Sequence, residues 1–110
     1  MKLIEINKKK YAIEFNSRAC MDLELEGITY KKLAESIQNE MSMAQLYTAF
    51  YHSIKKCSKG LSFDDALEII DEYYATGKTL EDFIELVLGE WSEAMGFGKQ
   101  FKRAMKKEKK

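Results

Sequence analysis

The chain opens on alternation and then changes period. Leu3-Ile4-Glu5-Ile6 and Tyr11-Ala12-Ile13-Glu14-Phe15 place apolar residues at every second position around a polar Asn7-Lys8-Lys9-Lys10 turn. A period of two puts Ile4 and Ile6 on one face of a first strand, and Tyr11, Ile13 and Phe15 on one face of a second. A hairpin of two strands is marginal alone, so its apolar face is expected to lie on other elements. From Asn16 onward the spacing becomes helical. Asn16 or Ser17 caps a helix expected over roughly residues 17–26 and ending at Gly27. Thr29 caps a second, with Tyr30, Leu33, Ala34, Ile37 and Met41 as its stripe. Ser42 caps a third, with Met43, Leu46, Tyr47, Phe50, Ile54 and Cys57 in register before Gly60.

Two further helices announce themselves by their first turns. Ser62-Phe63-Asp64-Asp65 and Thr79-Leu80-Glu81-Asp82 each set a hydroxyl cap three residues before an acid, which also suits the positive end of the helix dipole. The stripes are Phe63, Ala66, Leu67, Ile70, Tyr73 and Tyr74, ending at Gly77, and Leu80, Phe83, Ile84, Val87, Leu88, Trp91 and Met95. Gly27, Gly60 and Gly77 read as helix ends, whereas Gly89 falls inside the last helix. Trp91 is expected to be buried. The expected fold is mainly α, an N-terminal β-hairpin packed on a small bundle of about five helices. Residues 1–96 are expected to form one domain, with the hairpin over 1–15 and the helices over 16–96, and residues 97–110 a basic amphipathic tail.

Composition narrows the class. At 110 residues with 45% hydrophobic content, the chain is long enough for one modest core and too apolar for disorder. No apolar run approaches the length of a membrane span, and no apolar h-region follows the first Lys, so neither membrane insertion nor a secretory signal is expected. The net charge is zero but unevenly placed: residues 99–110 hold seven Lys or Arg and one acid, which leaves residues 1–98 at −6. Within the tail, Phe97, Phe101, Ala104 and Met105 recur at helical spacing among Lys99, Lys102, Arg103, Lys106 and Lys107. Such a segment suits a protein groove, a membrane surface or nucleic acid, or simply solubilises the terminus.

The chemistry-bearing residues point away from catalysis. Cys20 and Cys57 form no Cys-x-x-Cys pair, and His52 is the single histidine, so no zinc-ligand set of about four is expected. Both cysteines read as reduced and partly buried. His52 has Thr48, Ala49, Lys55 and Lys56 as its helical neighbours; with no carboxylate to orient it, it reads as a partly exposed helix residue. The pairs Asp64-Asp65, Asp71-Glu72 and Glu81-Asp82 read as solvated faces and first turns. Gly96-Phe97-Gly98-Lys99 lacks the frame of a phosphate loop. Leu33-Ala34-Glu35 through Leu46 has the outline of a DNA-binding helix-turn-helix. Gln38 stands where the turn needs glycine, however, and the following helix begins without Arg or Lys. No enzymatic activity, cofactor or metal is expected, and nucleic acid is an unlikely partner. Tyr47, Tyr51, Tyr73 and Tyr74 lie on stripes that are core by default, with Tyr47 and Tyr51 also suited to an oligomer surface.

Several of these segments, in this order, resemble the tail assembly chaperones of long-tailed bacteriophages and prophages. In that family a short hairpin is followed by a Phe-Asn-x-x-Ala-like helix start, here Phe15-Asn16-Ser17-Arg18-Ala19, continuing through Leu23-Glu24 to Gly27. An aromatic Leu-Tyr-x-Ala-like helix follows, here Leu46-Tyr47-Thr48-Ala49-Phe50-Tyr51. Then comes a Leu-Ser/Thr-x-acid-acid start, here Leu61-Ser62-Phe63-Asp64-Asp65, and a final helix from Leu80. The turn departs from the family in having Lys8 after Asn7. The resemblance implies a non-enzymatic protein that binds the tape measure protein and helps tail tube protein assemble around it. It would act in the cytoplasm of the host bacterium and be absent from the mature virion. Many family members occur as short and frameshifted long forms. The tail residues Phe97, Phe101, Lys102, Arg103 and Met105 are the expected partner contacts, with self-association through Tyr47 and Tyr51. The alternative is a small helical nucleic-acid-binding or regulatory protein that uses the basic tail.

Overall fold

The computed structural model describes residues 2–95. Two antiparallel strands, β1 (Lys2–Ile6) and β2 (Lys9–Ile13), precede five helices: α1 (Ser17–Leu25), α2 (Tyr30–Glu35), α3 (Met43–Ile54), α4 (Phe63–Ala75) and α5 (Leu80–Ala94). The protein is mainly α-helical, as its periodicity implies.

The hairpin is tighter than the sequence suggests. Ile4 faces Tyr11, and Ile6 faces Lys9, so only Asn7 and Lys8 form the turn. Both take positive φ, 50° and 67°. This is the backbone of a type I′ turn, whose twist matches that of the flanking strands. Lys9 and Lys10 therefore belong to the ladder rather than to a four-residue turn. β2 also ends at Ile13, two residues before the expected limit. There the chain leaves the sheet, and the Glu14 amide donates to the Ser53 carbonyl of α3 at 2.8 Å. Phe15 is thereby turned inward, stacked on Trp91 with ring centroids 5.0 Å apart and planes 2° from parallel.

Side-chain caps fix the helix starts. Asn16 Oδ1 accepts from the Ala19 amide at 2.8 Å, and Thr29 and Ser42 cap α2 and α3 in the same way. α1 ends in a Schellman motif. Gly27, at φ 81°, donates to Glu24, and Ile28 donates to Leu23 while its buried side chain completes the apolar part of the motif. α4 and α5 each open with a full capping box. Asp65 Oδ2 accepts from the Ser62 amide at 3.0 Å and Asp82 Oδ2 from the Thr79 amide at 2.9 Å, so aspartate reaches as well as the longer acids do.

Two helices are shorter than their stripes. α2 stops at Glu35 and passes into a 3-10 turn over Ser36–Gln38, rather than continuing to Met41. Ser36 Oγ donates to the Leu33 carbonyl at 2.6 Å, a local bond that competes with helix propagation. Ile37 and Met41 still pack on the core from the loop. α3 likewise tightens into a 3-10 turn over Lys55–Cys57, which turns Cys57 outward; it is exposed, against expectation, whereas Cys20 is half-buried.

The core lies around α3, which packs against β2, α1, α4 and α5. Its inward face is Leu46, Ala49, Phe50, Ser53 and Ile54. Trp91, 2% exposed, closes the core at the hairpin side, and Phe83 fills it between α3 and α4. Leu80 and Met95, the two ends of the last stripe, remain 42% and 44% exposed.

Candidate functional site

Two surfaces carry the polar chemistry of the described residues. The first is the edge where α1 meets α3. His52 is 7% exposed, and its Nε2 lies 2.5 Å from Glu26 Oε2 at the end of α1. This corrects the expectation of a partly exposed histidine with no carboxylate near it. The partner is 26 positions away in sequence, beyond the reach of helical spacing. Nδ1 is buried with no hydrogen-bond partner among the described residues. One turn back along α1, Asp22 takes Arg18 at 3.3 Å and Lys55 at 3.5 Å. Burial pushes the Asp22 carboxyl up, but the two cations outweigh it and hold it below the usual range. Lys56 bonds Glu14 at 2.7 Å, which lowers the Glu14 carboxyl and raises the Lys56 ammonium. The charges of this edge are thus paired, and they tie α1 and the end of β2 to α3.

The second surface is the outer side of α4 and α5. Residues 63–95 hold ten Asp or Glu and one Lys, whereas residues 2–62 hold ten Lys or Arg and seven acids. Asp65 and Asp82 are committed to their capping boxes, whose backbone bonds depress both carboxyls. Asp64, Glu68, Asp71, Glu81 and Glu85 are exposed and take part in none of the ion pairs at the α1–α3 edge or on the hairpin. A cleft of about 320 Å³ borders this surface. It lies between β2, the α3–α4 connection and α4, and its lining includes Tyr11, Leu61, Ile69, Glu68 and Glu72.

Tyr47 and Tyr51, expected at an oligomer surface, are both half-buried. The Tyr47 ring meets Phe83 edge-on at 5.7 Å, and its hydroxyl lies 3.3 Å from that of Tyr74. Burial and this neighbour push the Tyr74 hydroxyl strongly up. Tyr51 packs against Phe63 and His52, with Lys55 Nζ 5.4 Å from its ring centroid. Tyr47 is therefore largely engaged within the fold, whereas Tyr51 borders the α1–α3 edge. The tail residues Phe97, Phe101, Lys102, Arg103 and Met105 lie outside the described residues. Sequence periodicity also passed over Met21 and Leu25. They stand one turn apart on the outer face of α1, 47% and 78% exposed.

The Cys20 thiol is pushed up by burial, with the Trp91 indole opposing the shift. Among the described residues, no group of three or more His, Cys, Asp or Glu is placed to hold a metal ion. Also among them, no helix is long and apolar enough to cross a membrane. Comparison with protein-family models, with curated proteins and with solved structures finds no match.

Proposed function

We propose that this protein is a tail assembly chaperone of a long-tailed phage or prophage, a non-enzymatic binding module that holds the tape measure protein and assists the tail tube protein in the host cytoplasm. One observation carries the reading. The segments that resemble the family are the ones that organise this fold, in the same order. Phe15 anchors the hairpin on Trp91, Asn16 caps α1, and Gly27 ends it. Leu46, Ala49 and Phe50 are the centre of the core, and Ser62 with Asp65 starts α4. The resemblance thus falls on a contiguous structural frame rather than on scattered surface positions.

The surface suits that role. An acidic α4–α5 face and an apolar outer strip on α1 can meet a long helical partner of mixed charge, where charge pairs guide encounter and fix register. The test is co-expression with the tape measure protein of the same phage or prophage. The expected result is a soluble partner that co-elutes with this protein at low salt. A partner equally insoluble with and without it, and no complex on gel filtration, overturns the reading.

A further inference from the structure

The outer edge of β1 is a row of backbone groups that the described residues leave unpaired. β1 has β2 as its one strand neighbour among them. β2 in turn lies beside α3 and the 3-10 turn after it, and the chain leaving β2 is bonded to α3 through the Glu14 amide. The two-residue turn makes Ile6 and Lys9 a hydrogen-bonded pair, so Ile4 with Tyr11 and Lys2 with Ile13 are the next two. The amides and carbonyls of Leu3 and Glu5 therefore point away from β2, and none of them has a backbone partner elsewhere among the described residues. The usual guards of such an edge are thin: the chain has no proline, and the β1–β2 register runs without a bulge. Leu3 stands at this edge 62% exposed, on the face opposite to Ile4 and Ile6.

We propose that a second copy of this chain pairs with this edge, β1 antiparallel to β1, to form one four-stranded sheet across a twofold axis. Outward groups must meet outward groups, so the axis can pass through Leu3, Ile4 or Glu5. At Leu3 the overlap shrinks to residues 2–4; at Glu5 it shrinks to residues 4–6 and sets two carboxylates face to face. At Ile4 all of residues 2–6 overlap. Leu3 then exchanges both backbone bonds with Glu5 of the second copy, so every outward amide of the pair gains a carbonyl. Ile4, half-buried, meets its own counterpart at a non-hydrogen-bonded position, where side chains approach most closely. On the outer face the two Leu3 side chains become diagonal neighbours, and each Glu5 keeps Lys10 on its other side. The hairpin gains too, because two strands are marginal and four are not. The strand is thus complementary to itself in length, charge and apolar contact, which selects a second copy as the occupant over an unrelated strand. This assembly differs from one through Tyr47 and Tyr51, whose rings are engaged within the fold. It goes beyond the chaperone reading and does not depend on it.

The full chain alone is enough for the test. Sedimentation over a rising concentration series should show the monomer passing to a dimer. Leu3→Pro removes an outward amide without touching a β1–β2 bond, a change that edge strands tolerate. It should weaken the dimer at least about tenfold and leave the helical circular dichroism of the monomer unchanged. Register is read by cross-linking in a background of Cys20→Ser and Cys57→Ser. Ile4→Cys should form an intermolecular disulfide under mild oxidation. Leu3→Cys, although at a more exposed position, should form far less, because its counterpart is a diagonal neighbour beyond the ordinary span of a disulfide. The cross-linking pair needs no proline and decides the matter even if Leu3→Pro fails to fold. A monomer at every concentration overturns the proposal. So does a dimer as tight in folded Leu3→Pro as in the wild type, and so does cross-linking of Leu3→Cys at or above the level of Ile4→Cys.

Discussion

The N-terminal part of the molecule and the α4–α5 pair solve their electrostatics in opposite ways. From the hairpin to α3, charges of both signs are interspersed and several are cross-linked, Arg18 and Lys55 on Asp22 and Lys56 on Glu14, with the His52 imidazole hydrogen-bonded to Glu26. In α4 and α5 ten acids stand against one lysine, and the polar bonds shown there are local ones apart from the Tyr74 hydroxyl contact to Tyr47 of α3: capping boxes, Ser92 to the Gly89 carbonyl, and Thr76 to the Tyr73 carbonyl. Like charges on exposed helices repel and weaken a fold slightly. The N-terminal part is therefore held by side-chain pairs as well as by packing. The α4–α5 pair relies chiefly on packing and caps, and its exposed Asp64, Glu68, Asp71, Glu81 and Glu85 take part in none of those ion pairs.

The sharpest way to break that comparison is at the joint. Phe83 of α5 touches Tyr47 and Phe50 of α3 and Tyr73 and Tyr74 of α4. Phe83→Ala should cost about 3–5 kcal/mol in urea unfolding. One cooperative transition should persist in the wild type, because α3 contributes to both parts. Two separate transitions, with only the second shifted by Phe83→Ala, would show that the parts fold independently.

The next test removes the α1–α3 pairing. Glu26→Ala leaves the buried imidazole of His52 without its carboxylate. Because Glu26 is half-exposed, water compensates in part, and the cost should be about 1 kcal/mol. A double-mutant cycle with His52→Gln measures the pair itself. A coupling indistinguishable from zero would mean that the contact contributes nothing to the contrast between the two regions.

The capping boxes give an effect of similar size that depends on pH. Ser62→Ala should cost roughly 1 kcal/mol through the lost cap. Asp65 and Asp82 have carboxyls depressed in the folded state, chiefly by the backbone amides of Ser62 and Thr79. Their contribution is complete above the unfolded value near 3.8 and is lost as the pH falls through the lower folded values. Acidification should therefore destabilise the wild type more than a variant carrying Asp65→Asn and Asp82→Asn. Parallel pH profiles for the two proteins would remove the caps from the account.

Local rules were enough for most of the fold. The five helix starts are legible because each needs only a Ser, Thr or Asn and the amide three residues on. Trp91 was legible because Phe83, Val87, Leu88 and Trp91 recur at helical spacing on the inward side of α5. The α2 end was not, because Ile37 and Met41 keep a helical spacing while Ser36 diverts the backbone. At the candidate sites, His52–Glu26 joins two helices and the β2–α4 cleft three chain segments, and neither grouping has a sequence period. The acidic character was read only as an imbalance between body and tail, although the count over residues 63–95 already concentrates it in the last two helices; which of those acids face solvent needed the fold.

The smallest effect lies in the hairpin turn, and it separates backbone strain from charge in the basic half of the molecule. Lys8 adopts φ 67°, a left-handed conformation that disfavours a residue with a Cβ by roughly 1–2 kcal/mol relative to right-handed backbone. Glycine removes that penalty but enlarges the unfolded ensemble, which takes back part of the gain. Lys8→Gly should therefore stabilise the protein by about 0.5 kcal/mol, read as a rise in the urea midpoint at unchanged slope. The substitution also deletes a cation from a segment rich in lysine, and that alone could raise stability. Lys8→Gln deletes the same charge and keeps the Cβ, so it should shift the midpoint much less. If the two variants move it equally, the gain is electrostatic, and the turn carries no strain worth relieving. If only glycine moves it, the strained Asn7-Lys8 turn is held in place by the ladder that it closes and by Ile6, buried in the core immediately before it.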